Sequence, residues 1–374
     1  MVLHAKVCGR VGHCREYFPR PDAKASGLFF RQPASPLVRM RDFTARRYSV
    51  DMRRKPPAPP GQLVSLDTHR LHLCRAGHGT PPVVFDAALG GSSLSWTHVQ
   101  PAVAAFTTAC TYDRAGFGWS DAGPLPRTAG RIADELHTLL TTAAIAPPFV
   151  LVGHSFGAFS MRAYAARHPK DVAGLVFVDP AHPEEWRDPS PADRERLQRG
   201  VTLCRRGVFA AKSGIATLVA RLASAGALDL ARGIAAVVSR RTLHRQDEEI
   251  LAPVTKLPME VRAVLRWMWT EPRYFEALGS QIAHVGASAT ELDLRPDYGD
   301  LPLITISASQ ITRKRQILQD ALARRSTRGR HIAAERSGHW IPLDEPATIV
   351  AAIHDVVMAV RASTGAPSAA ESQS

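Results

Sequence analysis

Residues 151–157, LVGHSFG, set Ser155 between Gly153 and Gly157, directly after an apolar run and before a run with helical character. A strand that reverses abruptly into a helix forces the residue at the bend into a strained conformation, and side chains at 153 and 157 would clash there. The serine hydroxyl is then held out at the carboxyl edge of a sheet, at the positive end of a helix dipole. A hydroxyl so placed attacks a carbonyl carbon once a neighbouring base takes its proton. The chemistry implied is acyl transfer through a covalent serine intermediate, with the backbone N–H of Phe156 as one donor to the developing oxyanion.

The base must be chosen by position among 15 histidines. His339 stands in ERSGHWIPLDEP, after the last strand pattern and before the closing helix pattern. In a parallel sheet that loop opens on the same edge as Ser155. His182 follows another strand end and is the rival. His154, inside the motif, is expected to pack rather than to reach the serine.

These residues need a sheet to hold them, and the chain after residue 60 supplies one. LVSL (63–66) and RLHLCRAG (70–77) read as short strands, followed by 81–89, 108–116, 148–155, 172–181, 302–309 and 330–339. Between them lie helical patterns at 96–106, 128–145, 156–168 and 346–361. Ile132, Leu136, Leu139 and Leu140 share one face of the second, and Ile349, Ile353, Val356, Val357 and Val360 form one stripe on the last. Continuous apolar strands alternating with helices predict a mostly parallel sheet covered on both faces. Residues 183–295, between the sixth and seventh strands, carry helix-like segments and no comparable strands, and are expected to form a helical lid. The expected core is therefore 61–182 with 296–361.

Charge is unevenly divided. Residues 1–60 hold 13 Lys and Arg against 4 Asp and Glu, so most of the net +13 belongs to the front of the chain. That segment has no sustained periodicity and ends in a Pro-rich linker at 56–60. It is expected to be a disordered extension, with Met40 and Met52 as later candidate starts, and 362–374 a loose tail. Charge alone would allow a phosphate-binding arm, but nucleic acid is not an expected partner. The absence of a secretory apolar core and of an uncharged apolar stretch of about 18 residues points to a cytoplasmic chain without a membrane span. Five irregularly spaced cysteines do not suggest a disulfide framework. Cys8 and Cys14 with His4 and His13 match no common zinc spacing. No metal or organic cofactor is implied.

YDRAGFGWSD (112–121), GHSFG (153–157) and SGH (337–339) together carry a resemblance. Residues 62–361 resemble an α/β-hydrolase-fold serine hydrolase, and more narrowly the bacterial, esterase-like members with a YDRAGxGxSD loop. The resemblance implies an α/β-hydrolase fold and the chain order nucleophile, acid, histidine. Most of that superfamily places the acid after the strand that here is 302–309, yet 301–319 contains no carboxylate. Other members carry it at the end of the preceding strand, where Asp179 stands; Asp179 is the preferred acid and Asp320 the alternative. ALGGSSLSW looks like a variant of the family's His-Gly loop, with Ala87 and Ala88 in place of His-Gly. That makes the backbone N–H of Leu89 the expected second oxyanion donor, with Gly90 next in line. Asp113 and Arg114 are expected to serve structure, as a pair.

The implied activity is hydrolysis of a small to medium, apolar carboxylic ester, so the expected partner is a small-molecule substrate; the oligomeric state is not legible. Hydrolysis of a carbon–carbon, amide or thioester bond by the same triad, or ligand binding without catalysis, stays open. A serine nucleophile counts against epoxide hydrolysis and dehalogenation, which on this fold use an aspartate. Within the lid, Trp267, Met268, Trp269, Tyr274 and Phe275 are the candidates to line an acyl pocket, and packing of the lid onto the core explains the same spacing equally well.

Overall fold

The computed structural model describes residues 58–226, 256–292 and 297–364. Residues 1–57 of the expected extension at 1–60, the end of the tail at 365–374 and part of the expected lid at 227–255 and 293–296 lie outside the described residues.

The chain begins with strands β1 (Gln62–Ser65), β2 (Arg70–Ala76) and β3 (Val83–Asp86), then helix α1 (Gln100–Val103) and strand β4 (Ala109–Tyr112). Helix α2 (Ala129–Thr142), strand β5 (Phe149–His154), helix α3 (Gly157–Arg167) and strand β6 (Val172–Val178) follow. Between β6 and the next strand lie α4 (Pro183–Trp186), α5 (Pro191–Lys212), α6 (Ile215–Ser224), α7 (Met259–Met268), α8 (Pro272–Ala283) and α9 (Val285–Glu291). Strand β7 (Leu303–Ala308), helix α10 (Arg313–Ala323), strand β8 (Gly329–Ala334), α11 (Ile341–Asp344) and α12 (Pro346–Thr364) complete the order.

The eight strands form one sheet in the order β1-β2-β4-β3-β5-β6-β7-β8. β2 runs antiparallel to β1 and β4, and every other pairing is parallel. The central strands are apolar throughout because each face is covered, and the period of two divides their residues between the faces. Val84, Leu151, Leu175 and Leu303 point into one apolar layer with Ile132, Leu136 and Leu139 of α2. Phe85, Val152, Val176 and Ile304 point into the other, with Ile349, Ile353, Val356 and Val357 of α12. By length and composition Pro346–Ser363 could cross a membrane. Its expected apolar stripe is instead buried on the sheet, as in a core helix.

The helices between β6 and β7 are tied to the body through the start of α2, whose first N–H groups have no partners within the helix. The hydroxyl of Ser288 and the carboxylate of Glu291, both on α9, accept from Ala129 N–H at 3.0 Å and Gly130 N–H at 2.7 Å. Ser280 of α8 accepts from Arg127 N–H at 3.0 Å. The observed strands are shorter than their sequence patterns at the carboxyl ends. There the chain leaves the ladder to build the loops that carry the candidate site.

Beneath these loops His72 and Asp113 form a fully buried pair, Nδ1 to Oδ2, at 2.8 Å. His72 Nε2 lies 2.5 Å from the carbonyl oxygen of Pro60. A carbonyl and a carboxylate only accept, so both ring nitrogens carry hydrogen and the ring is an imidazolium. Burial opposes both charges, but their mutual attraction prevails, holding His72 above the usual histidine value and Asp113 below the usual carboxylate range. The raised His72 stabilises the fold fully below its unfolded value near 6.5 and loses that contribution as pH rises through the folded value. The lowered Asp113 contributes above its unfolded value near 3.9 and loses it as pH falls through the folded one. Urea midpoints of the wild type and of Asp113→Asn are therefore expected to differ more at about pH 5.5 than at about pH 9. Equal gaps would contradict an ionised pair.

Candidate active site

β5 ends at His154 and α3 begins at Gly157, leaving two residues for the reversal. Ser155 sits at the bend with φ of +53°, in the left-handed region that a residue with a side chain rarely adopts. Backbone bonds hold it there: its N–H donates to Val178 O at 3.0 Å, and its carbonyl accepts from Ala181 N–H at 3.1 Å. The flanking glycines are required for clearance. A Cβ at 153 would stand 2.7 Å from the backbone of Ala158, and one at 157 would stand 2.5 Å from Asp86 O and 2.7 Å from Ala87 O.

His339 occupies the loop between β8 and α11. Its Nδ1 lies 2.5 Å from Oδ2 of Asp179, which follows β6, is 1% exposed and has φ of +35°. Burial pushes the Asp179 carboxyl up. The hydrogen bond and charge of His339, with Arg315 and His154 behind them, outweigh it and hold the group below the usual carboxylate range. An ionised Asp179 can only accept, so Nδ1 of His339 carries a hydrogen, and in the neutral form of the ring the lone pair stands on Nε2.

The histidine loop rests on the residue next to the serine. His154 Nε2 lies 2.8 Å from the backbone oxygen of His339, so it must be the donor, and the two rings are 4.9 Å apart. Burial, reinforced by His339, pushes the His154 imidazole down to about 3. It is thus a neutral clamp on the His339 backbone, and it packs, as expected, against Trp96 and Trp340 as well. His182, the rival base, is buried and likewise pushed down to about 3 by burial and by Arg162 and Arg315. Its backbone N–H donates to Glu185 at 3.4 Å. Asp320, the alternative acid, lies on α10 and pairs with His331 at 2.5 Å rather than with His339.

The loop after β3 passes the start of α3 at Asp86 and Ala87, whose carbonyl oxygens a Cβ on Gly157 would meet. Among the described residues, no backbone carbonyl accepts from the N–H of Leu89 or of Phe156. The register of this loop is held by Arg114, which donates to Ala88 O at 2.5 Å and lies 3.6 Å from the buried Asp86 carboxylate. Its guanidinium also sits 5.4 Å from the ring centre of Phe156. The expected Asp113–Arg114 pair is therefore corrected. Asp113 turns inward to His72 and to the N–H groups of Ser93 and Trp119, while Arg114 serves the loops beside Ser155. Adjacent residues on a chain leaving a strand point to opposite faces, so they cannot share a partner readily.

The lid candidates divide. The Tyr274 hydroxyl donates to Gly90 O at 3.2 Å and accepts from the Trp269 indole. Trp267 lies 6.4 Å from Trp119, and Met268 is buried in the same apolar cluster as Leu94 and Trp119. Phe275 goes elsewhere. Its ring covers Gly207 of α5, where a Cβ would collide with it, so it joins two helices instead of facing Gly90. Arg315 is a residue that spacing alone did not flag. It lies 3.6 Å from Asp179 and donates to Pro180 O at 3.2 Å. The only signal was its place at the start of α10, just beyond a strand end on this rim.

Residues 81–217 match the family described as alpha/beta hydrolase fold. The chain is 18% identical to a thermophilic esterase from Thermogutta terrifontis, solved with malate bound. That likeness covers 80% of this chain and 99% of the other, at a TM-score of 0.55. The protein thus has the α/β-hydrolase fold, with a mostly parallel eight-stranded sheet flanked by helices. Among curated proteins it is 37% identical over 127 residues to a probable transporter, efuK, of Hormonema carpetanum, covering 32% of this chain and 18% of that one. It is 33% identical over 114 residues to the (lyso)-N-acylphosphatidylethanolamine lipase of Mus musculus, covering 29% and 33%. The alignments span only 18, 44 and 17% of three of the curated relatives it matches.

Proposed function

We propose that the chain is a serine hydrolase that cleaves a small to medium, apolar carboxylic ester through an acyl-enzyme. Ser155 Oγ attacks the carbonyl carbon as His339 Nε2 takes its proton. Asp179 holds the ring in the tautomer that leaves Nε2 free and stabilises the imidazolium that forms. The N–H groups of Leu89 and Phe156 receive the oxyanion, each such donor being worth about 3 kcal/mol of barrier. Collapse of the tetrahedral intermediate breaks the ester C–O bond, and the imidazolium returns its proton to the departing alkoxide. Water then attacks the acyl-serine with His339 again as base, which releases the acid and restores the hydroxyl.

The observation that carries this reading is the 2.5 Å hydrogen bond from His339 to a buried carboxylate, made on the rim where Ser155 is held at φ of +53°. The names of a lipase and an esterase among similar proteins support it. The helices between β6 and β7 act in this reading as the lid, with Trp267, Trp269 and Tyr274 lining the acyl pocket and Phe275 bracing it from behind. The test is a panel of p-nitrophenyl esters graded from acetate to laurate, with matched amides and thioesters. Saturable turnover that peaks at short to medium acyl chains is expected. A matched amide or thioester turned over faster than its ester would replace the ester assignment, and no turnover of any would remove it.

A further inference from the structure

A second group of side chains that could do chemistry lies at the other end of α3. His137 is on α2, while His168 precedes and Asp171 ends the turn Pro169–Asp171 that carries α3 into β6. The imidazoles of His137 and His168 stack with centroids 3.8 Å apart and planes 1° apart. His137 Nδ1 lies 3.6 Å from Asp171 Oδ2, and one ligand atom from each of the three residues falls within 4.8 Å of the others. Among the described residues this is the one such trio of histidine, cysteine and carboxylate side chains.

We propose that His137, His168 and Asp171 form a binding site for a divalent first-row transition metal of the zinc class. Bonds of about 2.0–2.2 Å in a tetrahedral array place neighbouring ligand atoms about 3.4 Å apart. His137 and Asp171 already stand near that spacing. No separation in the trio exceeds it by more than about 1.4 Å, a distance that side-chain rotation covers. The supporting groups are in place. Tyr164 Oη donates to Asp171 Oδ2 at 3.5 Å and can orient that carboxylate, whose remaining lone pairs stay open to an ion. Backbone bonds from His168 N–H to Tyr164 O at 2.8 Å and from Asp171 N–H to His168 O at 3.0 Å fix the turn. His168 caps the carboxyl end of α3, where the helix dipole favours a cation.

Two imidazole nitrogens and one carboxylate suit zinc, nickel or copper, whereas magnesium and calcium take oxygen ligands. The His137 and Asp171 side chains are 39% and 24% exposed, so an ion can enter and keep water in its remaining position. An α3 of 11 residues, rising about 1.5 Å per residue, separates this cluster from Ser155. The ion therefore pins α2 to the α3–β6 turn and takes no part in acyl transfer.

The test uses the full chain, stripped with EDTA and dialysed, titrated calorimetrically with Zn2+ and with Mg2+, and melted with and without each. One Zn2+ per chain is expected to bind with Kd of about 10 µM or tighter and to raise Tm, with Mg2+ doing neither. His137→Ala and His168→Ala should each weaken zinc binding at least about tenfold, and Asp171→Asn should weaken it too. Far-UV circular dichroism and metal-free melting check that each variant folds. His4, Cys8, His13 and Cys14 lie outside the described residues, so Cys8→Ser with Cys14→Ser is the parallel control. Zinc binding lost in that control but kept in His137→Ala would overturn the proposal, as would full-strength binding in all variants or none in the wild type.

Discussion

Ser155→Ala and His339→Ala are each expected to lower the rate of ester hydrolysis by a factor on the order of 10⁴ to 10⁶. Without the Ser155 hydroxyl no acyl-enzyme forms. Without the His339 imidazole the hydroxyl keeps its proton and remains a weak nucleophile. Because the two groups act as one unit, the double variant should be no slower than the worse single variant by any large factor. The residual rate expected is that of the proposed oxyanion donors, which are backbone groups and survive both substitutions. Steady-state kinetics on the preferred ester, with chromatographic removal of contaminating esterase, measures this. Additive losses would mean that serine and histidine act in separate steps.

The second large effect concerns the acid. Asp179→Asn is expected to cost about 10⁴ in turnover while the protein stays folded. The carboxylate accepts from Nδ1 at 2.5 Å. An amide can instead donate its N–H to Nδ1, which moves the ring hydrogen to Nε2 and removes the lone pair that must take the serine proton. Asp320→Asn is expected to leave turnover within a few fold, because Asp320 is paired with His331. Its loss leaves the His331–Ser307 contact at 3.0 Å to hold that side of β8. If Asp320→Asn cripples turnover and Asp179→Asn does not, the acid has been assigned to the wrong strand end.

The sheet was legible in the sequence because its central strands are buried on both faces. An uninterrupted run such as FVLVG cannot face water on either side, and helical patterns on both flanks leave few other arrangements. The turn at Ser155 was legible for a different reason. Two glycines two positions either side of a serine have a steric purpose, and the contacts a Cβ would make at 153 and 157 give that purpose a distance. Which carboxylate meets His339 was not determined by spacing, since 160 residues separate Asp179 from it and only the sheet order brings them together.

Partner choice among neighbours was the least legible. Asp113 and Arg114 are adjacent and oppositely charged, yet the strand geometry sends one to His72 and the other to Asp86 and Ala88. Phe275 and Tyr274 are adjacent aromatics on one helix, but about 100° of rotation between successive residues gives one to α5 and the other to Gly90. His137, His168 and Asp171 escaped notice because they come from two helices and a turn with no spacing motif to join them. Residue type marks a candidate, but the direction of its side chain decides its partner.

The most direct measurement is labelling of the folded chain by a fluorophosphonate, which reacts with a serine hydroxyl activated by a neighbouring base and traps the adduct for peptide mass mapping. One phosphonate per chain, located on Ser155 and abolished by His339→Ala, is the result expected. A folded, unlabelled chain, or an adduct on another serine, would contradict a nucleophile at the bend between β5 and α3.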